Sequence, residues 1–233
     1  HTLFTNKTNG IQPKIYSSSE EPPLLNAIQT QDDTMIDDIN LDQRHAPFNT
    51  RYLQRILRVI TQATTQHPRT MAVRVDLRLP DNHFSIRAGL LSRFIESLDA
   101  KIEARYRKKI KQGIRSYPCH LRYAWVREVG EVNEKSHYHL VLFVNKDTFN
   151  GLGGYGKEGT GLASLIREAW LSALQLNTCP EYRALVHIPD NPLYYLDINA
   201  TDYKTVYDKL TFRLSYFAKE RTKAYSPDER SFG

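Results

Sequence analysis

The chain has 233 residues, of which 40% are hydrophobic and 11% aromatic, and it carries a net charge of +6 at pH 7. This composition supports a hydrophobic core of good size and excludes an intrinsically disordered protein. No apolar run approaches the roughly 18 residues of a membrane span, so we expect no membrane partner. Two cysteines exclude a disulfide-bonded scaffold and, with no signal peptide at the start, favour the cytoplasm.

Charge is distributed unevenly along the chain. Residues 1–45 carry three basic and seven acidic side chains, whereas the remainder carries 29 basic and 19 acidic ones. Irregular stretches such as YSSSEEPPLLN predict an acidic, largely irregular N-terminal arm over residues 1–45. The basic remainder suits either a polyanionic partner or a solvated basic surface, and charge alone favours neither.

The first predicted elements are a helix, a strand and a long helix. The segment FNTRYLQRILRVITQATTQ has apolar residues at helical spacing, with Asn49 or Thr50 as its N-cap. Alternation in TMAVRVDLRLP predicts a half-buried strand that ends at Pro80, with Arg74, Asp76 and Arg78 on its solvent face. Residues 86–112 predict a long helix that ends near the next glycine.

The second half predicts a hairpin followed by further mixed elements. Strands over 120–130 and 136–145 are joined by a short polar link, EVNEKS, which suits a hairpin. A Gly-rich loop, a helix over 162–176, a short strand over 183–189 and an amphipathic helix over 202–224 follow. The expected fold is α+β, with a central antiparallel β-sheet and helices packed on it.

Two histidines open the strand SHYHLVLFVN. His137 and His139 share one strand face with Cα atoms about 6.6 Å apart, so their imidazoles could converge on one divalent cation. A third ligand is needed, and Glu128 on the preceding strand is the first candidate, followed by Glu131 and Glu134. The alternative for Glu128 is a surface acid paired with a neighbouring arginine. This ligand set suits Mn²⁺ or Mg²⁺, although it would also accept Zn²⁺.

Familiar chemistries of paired histidines do not fit the surrounding residues. A histidine-triad hydrolase needs a third histidine where Val141 stands, and a two-H phosphoesterase needs two separate His-x-Thr/Ser tetrads. A zinc deaminase needs a Pro-Cys-x-x-Cys segment, whereas Cys119 and Cys179 are isolated. These three classes are therefore excluded.

A candidate nucleophile lies in the segment LSYFAKERTK. Tyr216 and Lys219 are three residues apart and share a helical face, with Lys223 one turn further on. A phenol of pKa about 10 is a poor nucleophile until a nearby ammonium or a metal-polarised phosphate favours its phenolate. The alternative is an ordinary core or rim residue, since the chain has 14 tyrosines.

Taken together, these residues resemble the HUH endonucleases, which include rolling-circle replication initiators and relaxases. The shared features are H-hydrophobic-H on a strand, an acid upstream in WVREVG and Y-x-x-K on a later helix. More narrowly, HYHLVLFVN and SYFAKERTK resemble the replication-protein-like family of filamentous phages and prophages, including YagK/YfjJ-type proteins. The resemblance covers residues 47 to about 225. Glu220 stands where some initiators have a second tyrosine, so the resemblance implies a single-tyrosine enzyme.

The resemblance implies an HUH-type nuclease domain over residues 46–225, with a C-terminal tail over 226–233. Tyr216 would attack single-stranded DNA at a replication origin, giving a 5′-phosphotyrosine and a free 3′-hydroxyl. A divalent cation, Mn²⁺ or Mg²⁺, held by His137, His139 and Glu128 would polarise the phosphate, and Lys219 would stabilise charge. Such an enzyme works in the bacterial host's cytoplasm, with host replication proteins as further partners. The alternatives are a non-catalytic DNA-binding protein of this fold and an unrelated metal-dependent phosphohydrolase.

A basic segment with interleaved aromatic residues, EARYRKKIKQGIRSY, is the candidate DNA-binding surface. A solvated helix face is the alternative. The predicted DNA-binding residues are Arg105, Arg107, Lys108, Lys109, Lys111, Arg115 and, from the last helix, Lys223.

The Gly-rich run GLGGYGKEGTG matches a phosphate-binding loop only in part, because Glu158 replaces the metal-binding Ser or Thr; a mobile surface loop is favoured.

Overall fold

The computed structural model describes residues 39–80, 89–129, 136–153, 161–220 and 231–233. The helices and strands are α1 Thr50–Gln66, β1 Arg69–Arg78, α2 Leu90–Lys111, β2 Arg122–Val129, β3 Ser136–Asn145, α3 Leu162–Leu174, β4 Val186–His187, β5 Leu193–Asp197 and α4 Tyr203–Leu214. Short 3₁₀ turns span Gln43–His45, Pro180–Leu185 and Ser215–Ala218.

The strands form one five-stranded antiparallel sheet. The strand β3 lies between β2 and β1, and the other edge of β1 pairs with both β5 and β4. The pairing of β2 with β3 places His137 opposite Glu128, while His139 lies opposite Asp76 of β1. The predicted α+β fold with an antiparallel sheet is confirmed.

Helices cover both faces of this sheet. One face, called the site face below, carries His137, His139, Val141 and Phe143 of β3. The helices α1 and α4 pack on it through residues such as Ile60 and Leu214. The opposite face carries Tyr138, Leu140, Leu142 and Val144, and α2 and α3 pack on it through residues such as Phe94 and Trp170. Alternation along each strand therefore sends neighbouring residues into two separate environments.

The prediction that β1 is half buried was wrong. Six consecutive residues of β1 are buried, because α1 and α4 cover the face that the sequence pattern assigns to solvent. Arg74 is only 6% exposed. Its Nη1 donates to the Leu140 carbonyl at 3.0 Å and pairs with Asp76 Oδ1, also at 3.0 Å, so its charge is balanced within the protein.

The last predicted helix ends earlier than expected. The helix α4 stops at Leu214, a 3₁₀ turn follows over Ser215–Ala218, and Lys219 pairs with Phe48 in an isolated β-bridge. Backbone hydrogen bonds fix this exit: the Asn49 N–H donates to the Ala218 carbonyl at 2.7 Å. Tyr216 therefore lies on a 3₁₀ turn, not on an α-helix.

Other boundaries agree in part with the sequence expectations. The Asn49 side chain accepts the N–H of Tyr52, which confirms the N-cap of α1. The helix α2 ends beside Gly113, whose φ of 69° is left-handed and suits glycine. The predicted strand over 183–189 is mostly a 3₁₀ turn leading into the two-residue β4, and β5 was not predicted.

Within the described residues, no helix is long and apolar enough to cross a membrane.

Described parts of both predicted terminal segments contact the domain. The Asp42 N–H donates to Ser215 Oγ at 3.1 Å, next to the turn that carries Tyr216. At the other end, the backbone of Ser231 and Gly233 accepts hydrogen bonds from Arg127 and Trp125 of β2. The boundaries at residues 45 and 226 stay predictions.

Candidate metal centre

The β2–β3 pairing builds a compact group of three ligand-type side chains on the site face. Glu128 lies directly opposite His137, and His139 follows two residues along the same face of β3. Ligand atoms of the three residues all lie within 4.8 Å of one another, which makes the group a candidate metal site. Of the predicted third ligands, Glu128 is the one that lies here; Glu131 and Glu134 lie outside the described residues.

The two oxygens of Glu128 face different partners. Oε2 lies 3.3 Å from His139 Nε2 and 3.8 Å from His137 Nε2. Oε1 pairs with Lys219 Nζ at 3.1 Å. The Glu128 and His139 side chains are only 5% and 13% exposed, whereas that of His137 is 29% exposed. The group is therefore accessible from solvent through His137.

His139 is oriented as a metal-binding histidine needs to be. Its Nδ1 lies 2.6 Å from Asp76 Oδ1, whereas its buried Nε2 has no hydrogen-bond partner of good geometry among the described residues. A carboxylate on Nδ1 fixes the tautomer whose Nε2 lone pair is available, which is the usual outer partner of a metal-bound imidazole. The residues present thus fit a divalent cation.

The pKa values of the site describe its charge without a cation. Burial raises the pKa of Glu128, but His139 and Lys219 outweigh it and lower the value to about 2. Burial also raises the pKa of Asp76, yet the hydrogen bond to His139 and the charge of Arg74 hold it well below its usual range. Burial lowers the pKa of His139, and the two carboxylates more than reverse this. A metal ion would therefore compete with a proton at His139.

Tyr216 and Lys219 both reach this group. The Tyr216 hydroxyl donates to Glu128 Oε2 at 3.0 Å. Lys219 Nζ lies 3.7 Å from the centre of the Tyr216 ring, so it stacks on the ring face as well as pairing with Glu128. The sequence correctly predicts that these residues adjoin the histidines, although a 3₁₀ turn and an extended Lys219 replace the expected helix face.

The phenol is protonated in this arrangement. Burial is the main cause that raises the pKa of Tyr216, and the negative charge of Glu128 raises it further. A cation bound to Glu128 would remove much of that repulsion, so the phenol and the metal site are electrostatically linked.

Sequence reasoning missed two residues that support the site. Asp76 holds His139 and lies within 3.4 Å of His187 Nδ1, and Arg74 in turn pairs with Asp76. Both were assigned to a solvent-exposed strand face. The signal that could have found them is two charged positions, two residues apart, on one face of β1, which pairs with the histidine strand.

The predicted DNA-binding residues lie elsewhere. Arg105, Arg107, Lys108, Lys109 and Lys111 occupy the C-terminal half of α2, on the opposite face of the sheet, and Arg115 follows it. The guanidinium of Arg105 lies 5.8 Å from the Phe149 ring, which follows the end of β3 far from His137. The structure does not bring these residues to the metal site. Lys223 lies outside the described residues.

Comparison with known proteins places this chain in a family. The family model of the YagK/YfjJ C-terminal domain matches residues 30–233, so the chain belongs to that family. This confirms the resemblance to YagK/YfjJ-type proteins; the resemblances to phage replication proteins and to HUH endonucleases stay predictions.

Two curated relatives support the assignment. Uncharacterized protein YagK of Escherichia coli K12 is 38% identical over 191 residues, covering 78% of this chain and 90% of the relative. Uncharacterized protein YfjJ of the same strain is 36% identical over 195 residues, covering 78% and 92% respectively. No solved structure matches the chain significantly.

Proposed function

We propose that this protein is an HUH-type enzyme that nicks single-stranded DNA and transfers strands in a metal-dependent reaction. Its proposed role is initiation of rolling-circle replication of a phage or prophage. One observation carries the proposal: the Tyr216 hydroxyl lies 3.0 Å from Glu128, which is also the carboxylate grouped with His137 and His139. A phenol aimed at a candidate metal group is the arrangement that a tyrosine nucleophile requires.

The candidate ligands His137, His139 and Glu128 would hold Mn²⁺ or Mg²⁺. When bound, the cation would polarise a non-bridging oxygen of the attacked phosphate and offset developing negative charge. Asp76 would keep His139 in the required tautomer through its 2.6 Å contact with Nδ1.

The chemical step assigned to Tyr216 is a substitution at phosphorus. The phenol oxygen forms a bond to phosphorus, the bond from phosphorus to the 3′-oxygen breaks, and a 5′-phosphotyrosine and a 3′-hydroxyl result. The phenol proton leaves to solvent, because Glu128, with its pKa lowered to about 2 and its place among the metal ligands, is a poor proton acceptor. The departing 3′-oxygen takes a proton from solvent, so the step is balanced. Because one phosphate ester replaces another, attack by a 3′-hydroxyl reverses the step and joins strands.

Lys219 has a defined part in this step. Its ammonium touches both Glu128 and the Tyr216 ring, so it is positioned to stabilise negative charge as the phenol loses its proton. Its side chain is only 12% exposed, which reduces solvent screening of that charge.

The test is a nicking assay with Mn²⁺ and a pool of randomised single-stranded oligonucleotides. With a 3′ label, the proposed polarity gives a labelled protein adduct that survives denaturation; with a 5′ label it gives only a shortened free strand. Tyr216→Phe should abolish the adduct, and the matched control Tyr207→Phe, on α4, should retain it.

The other outcomes separate the alternatives. DNA binding without an adduct would support a non-catalytic DNA-binding protein. Metal-dependent cleavage that persists in Tyr216→Phe would support an unrelated phosphohydrolase. Melting temperatures of both variants control for folding.

A further inference from the structure

A cavity of about 1130 Å³ adjoins the candidate metal centre. Tyr216, His139 and Arg74 line it where it meets the metal site, so the two spaces are continuous. Its remaining walls come from β5, α4 and residues 40–45. Small-molecule ligands generally occupy cavities of about 300–1,000 Å³, so this one has room for a nucleotide and part of its neighbour.

We infer that this cavity is a nucleobase-binding subsite, holding one or two nucleotides of single-stranded DNA beside the attacked phosphate. The inference rests on the proposed function and assigns the cavity a ligand class, a single-stranded nucleotide.

The first argument is the aromatic side chains of the cavity walls. Tyr194, Phe212 and Tyr216 all line the cavity. Phe212 is half buried, and among the described residues it lies outside both hydrophobic clusters of the core. Its ring is thus not used for core packing, and a flat aromatic face is what an unstacked base needs.

The second argument is positive charge. Lys209 and Arg213 line the same cavity and could approach phosphates on either side of a stacked base, whereas Arg44 and Arg74, also in the lining, are already paired with Asp42 and Asp76. Two of the acids in the walls are already paired, Asp42 with Arg44 and Asp208 with Lys204. The cavity therefore combines stacking surfaces with cations, which suits a polyanion that carries bases.

The third argument is an unused buried donor. Arg74 is 6% exposed, and its Nε has no hydrogen-bond partner among the described residues although Nη1 is fully used. A buried guanidinium N–H without a partner is costly unless a ligand or water accepts it. A base carbonyl or a phosphate oxygen entering the cavity could do so.

The experiment measures binding of fluorescent single-stranded DNA by anisotropy, in a Tyr216→Phe background that cannot form an adduct. Phe212→Ala should weaken binding about fivefold to a hundredfold, the range expected for one lost stacked base. Phe212→Leu keeps apolar volume without a flat ring and should also weaken binding. The matched control Tyr182→Ala removes a part-buried ring on the 3₁₀ turn Pro180–Leu185, which lines neither the cavity nor the basic segment, and should bind like the parent.

An abasic scan identifies the ligand as a base. Removing the bases one position at a time should weaken binding by the parent at one or two positions, and Phe212→Ala should no longer respond at those positions. Equal affinity of Phe212→Ala, Phe212→Leu and parent, or no binding of single-stranded DNA at all, would overturn the inference. The proposed function fails separately, when the protein with Tyr216 intact forms no covalent adduct.

Discussion

Tyr138 and His139 are neighbours in β3, yet they lie in opposite environments. Tyr138 packs with Trp170 on the face covered by α2 and α3, where the buried cluster is almost wholly apolar. His139 faces Asp76, Glu128 and Tyr216 on the face covered by α1 and α4. The sheet thus carries an apolar core alone on one side and, on the other, a charged centre beside a second apolar cluster. Substitutions at the charged centre and in the opposite core should therefore have separable effects.

The largest effect is expected from removing a ligand on the site face. His139→Ala should weaken Mn²⁺ binding by more than about 100-fold, because loss of a ligand exceeds the 10–100-fold cost of losing an outer partner. Titration calorimetry with Mn²⁺ measures it. Tyr138→Phe, the adjacent residue on the opposite face, is the control; equal affinities of His139→Ala and wild type would remove the metal site.

The reverse pattern is expected on the opposite face. Trp170 is fully buried between Phe94 and Tyr138, so Trp170→Ala should lower the free energy of unfolding by about 3–5 kcal/mol. Urea denaturation measures this change. Well below the melting temperature, Mn²⁺ affinity should stay at the wild-type value, and a large loss of affinity in folded protein would show that the two faces are not separable.

An intermediate effect is expected for the residue that positions His139. Asp76→Asn should weaken Mn²⁺ binding about 10–100-fold while retaining some binding, since the ligands themselves remain. The carboxylate also partners Arg74, so thermal stability should fall as well. Affinity unchanged within error would mean that the Asp76 contact does not orient the ligand.

A smaller effect distinguishes the two possible DNA surfaces. Replacing Arg213 and Lys209 by alanine should reduce the salt dependence of single-stranded DNA binding, by about 0.7 in the slope for each phosphate that a cation no longer neutralises. The control replaces Lys108 and Lys109 of α2 and should leave the slope unchanged. If the α2 variant lowers the slope instead, DNA binds the basic segment on the opposite face.

The smallest effect concerns the two cysteines. Burial raises the pKa of Cys119 to about 11, and its Sγ accepts the backbone N–H of Asn145 at 3.3 Å. Because the thiolate is the reactive form, iodoacetamide should label Cys179 in native protein and Cys119 only after denaturation. Mass spectrometry of tryptic peptides measures the order, and faster labelling of Cys119 would contradict its burial.

Part of the site could be predicted because it depends on local rules. Strand alternation puts His137 and His139 on one face, and the antiparallel pairing of β2 with β3 brings Glu128 across from them. Tyr216 could be predicted because it begins the short motif Y-x-x-K. Its position beside the histidines, however, depends on the pairing of Lys219 with Phe48, which is distant in sequence.

The rest depends on tertiary packing, which periodicity does not encode. The alternating pattern of β1 predicts that Arg74 and Asp76 are solvent-exposed, because the β1 sequence contains no information that α1 and α4 cover that face. The basic half of α2 is predicted to bind DNA because its charge is evident from the sequence. The sequence does not show on which face of the sheet this helix packs. The strand β5, LYYLD, has only five residues, too few for a periodic pattern to predict it, and it pairs with β1.

The most direct test of the account is to locate the covalent bond. Wild-type protein is incubated with Mn²⁺ and single-stranded DNA, the DNA is digested by nuclease, and the remaining nucleotide is mapped by mass spectrometry. The account predicts a 5′-phosphotyrosyl nucleotide on the peptide that contains Tyr216. A nucleotide on another residue, or cleaved DNA with no modified peptide, would contradict it.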